Sequence, residues 1–63
     1  MKWVYDKDVD AAHLTLDDAA VDESEEVSPG VVFDFDANGR IVGIEVSQAS
    51  ARLPASALFP FAA

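Results

Sequence analysis

The sequence predicts a mainly β fold: a small antiparallel β-meander of about five short strands followed by one short helix. Three observations carry that expectation. Apolar and polar residues alternate with a period of two over Ala12–Leu16 and again over Val31–Phe35. Turn-forming residues recur between such runs, at Asp6–Asp10, at Ser28-Pro29-Gly30 and at Asp36–Arg40. The 63-residue length allows one domain, residues 1–63, and leaves little room for anything but short elements.

The elements follow in order. Lys2–Tyr5 is aromatic and β-branched and reads as an opening or edge strand; Trp3 and Tyr5 share one face, where packing explains them better than a ligand platform does. The aspartates of Asp6–Asp10 break the pattern, and Ala12–Leu16 resumes it with Ala12, Leu14 and Leu16 on one side and His13 and Thr15 on the other. Val21–Val27 is a third strand. Its Glu23, Glu25 and Glu26 suit an exposed sheet edge, where charge discourages unwanted pairing. After Pro29-Gly30, Val31, Phe33 and Phe35 point inward as a core row and Asp34 points outward. Asn38-Gly39 supplies residues that tolerate positive φ, so a hairpin returns through Ile41–Val46. Val42, Ile44 and Val46 face the Val31 row, with Ile41, Gly43 and Glu45 on the other side. Apolar residues on both faces make this strand central or covered. Ser47–Leu53 tolerates one or two helical turns, with a serine as N-cap and a stop at Pro54. Consecutive strands are expected to pair. Residues 54–63 form an apolar tail, expected to pack on the sheet or on a neighbouring subunit through Leu58, Phe59 and Phe61.

Composition narrows the function classes. Twelve acidic and four basic residues give a formal charge of −8, a field that repels phosphate backbones and anionic membrane surfaces. No nucleic-acid or membrane partner is expected, and a basic protein partner is compatible. No cysteine is present, which excludes disulfides, and a single histidine leaves little soft ligand for a structural zinc site. Met1–Asp6 carries no apolar signal segment, and the expected location is the cytoplasm.

Chemistry-bearing patterns are sparse. His13 lies on an alternating strand and reads as an outward polar residue, and nothing local marks any serine as an activated nucleophile. Asp6, Asp8 and Asp10 invite comparison with a calcium loop. Such a loop needs Gly at the sixth position and Glu at the twelfth, where this chain has Ala11 and Asp17. An aspartate-rich turn is the simpler reading. Gly30, Gly39 and Gly43 are dispersed and make no phosphate loop. The sequence thus assigns no catalytic, cofactor-binding or metal residues and points to a protein that is not an enzyme.

The order of the pieces resembles a family of short bacterial domains catalogued as domain of unknown function 2283. The resemblance is carried by Val4-Tyr5-Asp6 with Asp10-Ala11-Ala12, by Glu23 through Val32, by Phe33 through the more specific Gly43-Ile44-Glu45, and on to Arg52-Leu53. It implies a small β-meander with a short helix and no assigned activity. Some members are similar to antitoxin-like partners of compact toxins. The chain departs from the pattern at Ala12-His13, where an aromatic commonly follows the alanine, and in its Ala- and Phe-rich tail.

Two functions are consistent with these readings. One is a non-enzymatic interaction or structural module that self-associates, a homodimer first, because a small core and a two-faced last strand call for cover. The other, suggested by the charge and the resemblance, is an antitoxin-like regulatory partner that binds and neutralises a small basic toxin protein.

Overall fold

The computed structural model describes residues 1–58 of the 63. Five strands run in the order of the chain: β1 (Lys2–Asp6), β2 (Ala11–Thr15), β3 (Glu23–Ser28), β4 (Val31–Phe35) and β5 (Ile41–Ser47). Two short helices follow, α1 (Ala49–Arg52) and α2 (Ala55–Leu58), where the sequence predicts one. Pro54 separates them: it ends α1, and its carbonyl accepts the Ala57 N–H at 2.9 Å to open α2.

All strand pairs are antiparallel, and the sheet order is β1-β2-β5-β4-β3. Three consecutive pairs form as the sequence predicts, but β2 and β3 do not pair; β5 lies between β2 and β4. The composition explains the departure. All six residues of β3 are exposed, and setting Glu23, Glu25 and Glu26 in mid-sheet would desolvate them without partners. The centre goes instead to β5, the strand with apolar residues on both faces. The connection from β2 to β3 runs past the ends of the two strands it skips. The Leu16 and Asp17 N–H groups both donate to the Val42 carbonyl, and the Asp22 N–H donates to that of Phe35.

Each turn has a local cause. In the β4–β5 loop the Asp36 carboxylate accepts the backbone N–H groups of Asn38 and Arg40, both at 2.9 Å, and Gly39 takes φ 78°. Between β3 and β4, Gly30 at φ 80° completes the Pro29-Gly30 reversal. The Arg52 side chain lies over this glycine, its Nε donating to the Ser47 carbonyl at 3.0 Å. The β1–β2 turn ends on Asp10 at φ 53°.

Asp10 also does the work expected of a serine cap. The residue before α1 is Gln48, in a left-handed conformation with no side-chain capping bond. Instead Asp10 Oδ1 accepts the Ser50 N–H at 3.0 Å, Oδ2 accepts the Ser50 hydroxyl at 2.7 Å, and the Asp10 carbonyl accepts the Ala49 N–H. A residue remote in sequence thus caps the helix and fastens it to the first hairpin.

The buried cluster comprises Tyr5, Ala12, Val46, Ala49 and Leu58, with Trp3, Ile44 and Leu53 packed against it. It joins one face of β1, β2 and β5 to the two helices. Trp3 Nε1 donates to the Ala57 carbonyl at 2.6 Å and the Tyr5 hydroxyl donates to Asp10 Oδ1 at 2.7 Å. Of the tail residues expected to pack, Leu58 joins this cluster; Phe59 and Phe61 lie outside the described residues.

Two expectations about β4 need correction. The register sets Val31 beside Val46 and Phe33 beside Ile44, but Val31, Phe33 and Phe35 are half-buried and lie beyond the buried cluster. Asp34 points to the opposite face as expected, yet it is buried, with 5% exposure. A bulge between Asp34 and Phe35 pairs Phe35 with Ile41 and leaves Val42 the extra residue. Ile41 thereby joins the Phe35 side, while Val42 lines a groove with Gly43 and Asp34 on the other.

Candidate functional site

The face of the sheet opposite the helices carries a polar cluster at its centre. Strand alternation places His13 of β2, Asp34 of β4 and Glu45 of β5 on this face, and the register sets His13 opposite Glu45 and Asp34 opposite Gly43. One ligand-type atom from each of the three side chains lies within 4.8 Å of the others. His13 Nε2 is 3.8 Å from Asp34 Oδ2, with the imidazole half in solvent and the carboxylate almost fully covered.

Gly43 makes this approach possible. A Cβ at that position would fall 2.8 Å from Asp34 Oδ2 and 3.4 Å from His13 Nε2, so any side chain would occupy the space the carboxylate now fills. From the edge strand, Ser24 donates its hydroxyl to Asp34 Oδ1 at 2.6 Å. The Glu45 carboxyl is a second hydrogen-bonding partner of the Asp34 side chain. Glu45, like His13, is exposed. Its carboxyl is held above the ordinary range, first by a hydrogen bond with Asp34, then by partial burial and by the charge on Asp34, with His13 acting the other way.

An open groove of about 240 Å³ runs from His13, Asp34 and Gly43 towards Asp17, Asp18 and Val21 of the β2–β3 connection. A second, of similar volume, lies beyond His13 along Val4, Ala11 and Glu45. No lysine or arginine lines either groove among the described residues.

The arrangement differs from nucleophilic catalysis in its order. A serine hydrolase sets the imidazole between hydroxyl and carboxylate. Here Asp34 stands between Ser24 and His13.

The other residues weighed from sequence have structural partners. Asp6 Oδ1 accepts the Asp8 N–H, an aspartate turn, while Asp10 faces Tyr5 and Ser50, so the three do not converge. Hydrogen bonds from Ser50 and then Tyr5 hold the Asp10 carboxyl below its usual range; the same contact with Asp10 raises the Tyr5 phenol. Glu23, Glu25 and Glu26 stand exposed on the edge strand. His13 points outward as expected, but its carboxylate neighbours come from strands far along the chain. The signal that could have found them is the shared parity of His13, Asp34 and Glu45, once β5 is set between β2 and β4.

No helix among the described residues is long and apolar enough to cross a membrane. Comparison with curated proteins and with solved structures finds no match. The family model described as "Protein of unknown function (DUF2283)" matches residues 2–50, a span that includes all five strands and the whole polar cluster, and the chain belongs to that family.

Proposed function

We propose that this chain is a small non-enzymatic interaction module that pairs with a second copy of itself through the helix-bearing face of its sheet. The supporting observation is the uneven cover on that face. The buried cluster joins the helices to β1, β2 and β5, whereas Phe33 and Phe35 on β4 stay half-buried, ring centroids 6.4 Å apart, outside it. At the same end of the sheet Leu16 and Ile41 are 37% and 40% exposed. Partly exposed apolar side chains of this kind favour association, and a two-fold pair is the commonest way to cover them.

Light scattering during size exclusion tests the reading. The full chain at micromolar concentration is expected to have dimer mass, and Phe33→Glu to have monomer mass with native circular dichroism. A monomeric parent chain would sink the proposal. The location we propose is the cytoplasm, with which the cysteine-free composition is compatible.

The acidic edge strand favours a second reading, an antitoxin-like role against a small basic toxin protein. Glu23, Glu25 and Glu26 present exposed charge beside an unpaired strand edge. That reading requires a basic partner whose binding weakens with salt and with a Glu23→Gln, Glu25→Gln, Glu26→Gln variant.

A further inference from the structure

We propose that His13, Asp34 and Glu45 form a binding site for a zinc-class divalent cation, Zn²⁺ first, on the open face of the sheet. The proposal is independent of the self-association reading.

The argument begins with geometry. Zinc bonds nitrogen and oxygen ligands at about 2.0–2.2 Å, so tetrahedral neighbours stand roughly 3.3–3.6 Å apart. The His13 Nε2 to Asp34 Oδ2 separation of 3.8 Å is close to that edge, and the outer limit of 4.8 Å for the set needs only a small closure. Both residues that must move, His13 and Glu45, are exposed and free to change rotamer. The one that cannot, Asp34, is already in place.

Asp34 supplies the second observation. It is a carboxylate more than nine-tenths buried, and the Ser24 hydroxyl holds only Oδ1. Oδ2 faces His13 over Gly43, 3.8 Å from Nε2. A hydrogen-bonded carboxylate with its other oxygen directed at an imidazole is the kind of oriented ligand that outer-shell contacts produce.

Charge and ligand type then identify the ion. Asp34 and Glu45 together match a charge of two, with no lysine or arginine lining the adjacent grooves to neutralise them. Imidazole selects zinc-class ions over magnesium and calcium, which prefer all-oxygen shells. The absence of cysteine excludes a closed thiolate site but leaves three ligands and a position open to the groove for water.

The test is calorimetric titration of the full, tag-free chain with zinc chloride, with cobalt absorption spectra as a second readout. One ion per chain is expected, with affinity falling at least about tenfold in His13→Gln and in Glu45→Gln. Both variants sit on the exposed side and are expected to keep the parent circular dichroism. Cobalt is expected to give visible bands that His13→Gln abolishes. Absence of saturable binding at submillimolar zinc would overturn the site. So would equal binding by parent and both variants, which would mark diffuse attraction to the acidic surface. Calcium binding as tight as zinc would overturn the ion class.

Discussion

Replacing Leu58 with alanine tests how the end of the chain is held. Leu58 is 3% exposed and closes the core against Tyr5, Ala12, Val46 and Ala49. Leu→Ala at buried sites costs about 2–5 kcal/mol, depending on how far the surroundings collapse into the space. α2 has only four residues and can settle inward, so the lower part of that range applies, about 2–3 kcal/mol. Against a total stability of roughly 3–9 kcal/mol for a domain of this length, the variant should keep its fold but lose much of its resistance to urea. Trp3 makes the assay specific, because it is the single tryptophan and its Nε1 donates to the carbonyl of Ala57, next to Leu58. Urea unfolding is followed by tryptophan fluorescence and by far-ultraviolet circular dichroism over a hundredfold range of protein concentration. A loss of about 2–3 kcal/mol, constant across that range, is expected for packing within one chain. A loss under about 0.5 kcal/mol would remove Leu58 from the core. A loss that changes with concentration would mean that Leu58 packs on another subunit.

Three further predictions concern single residues. Gly30→Ala forces a side chain to φ 80° and sets its Cβ 2.9 Å from the Arg52 guanidinium; denaturant unfolding should show a loss of about 1–3 kcal/mol, and unchanged stability would mean the turn relaxes freely. Because the folded state raises the Glu45 carboxyl above its ordinary 4.5, that residue's contribution is greatest below this value and is lost as pH rises through the folded one. Glu45→Gln should therefore melt increasingly above the parent as pH rises from 4 towards 7, and a constant difference over that interval would refute the coupling to Asp34. Asp10 is the opposite case: its lowered carboxyl contributes above its ordinary 3.8 and loses that contribution as pH falls through the still lower folded value. Asp10→Asn, which keeps a residue tolerant of positive φ, should flatten the acid limb of the melting profile between pH 4 and 2, and parallel limbs would argue against the Ser50 and Tyr5 bonds.

Local patterns made the hairpins legible. Val31–Phe35 and Ile41–Val46 around Asn38-Gly39 and the charged edge of Glu23–Ser28 follow from alternation, turn residues and charge, whereas the apolar residues on both faces of β5 say only that it is central or covered. The strand order was less legible, because nothing local in Leu16–Asp22 says that this segment bypasses two strands. The candidate site depends on that order. In a simple meander two strands would separate β2 from β5, putting His13 and Glu45 about 14 Å apart at the usual spacing. The bulge at Val42 was hidden for a similar reason: parity counted along one strand cannot reveal where its partner skips a residue. Asp34 shows the limit of alternation most clearly. Period two sets it opposite Phe33 and Phe35, but its burial comes from Ser24, His13 and the missing Cβ of Gly43, all on other strands.

The central position of the last strand also governs how the molecule assembles. β1 with β2 and β3 with β4 are hairpins that can close from nearby residues, but isolated two-stranded hairpins are at best marginally stable in water. Neither touches the other along a strand; each borders only β5. During synthesis both hairpins are made before Ile41–Ser47, so the sheet stays in two unjoined halves until the fifth strand arrives and zips them together. Joining them depends on the pairing of β2 with β5, strands distant along the chain, a kind of contact that forms slowly. The short central strand is thus the common hinge pin of both halves: a chain interrupted anywhere before it holds at most two separate hairpins, and only its pairing with β2 and β4 makes them one sheet.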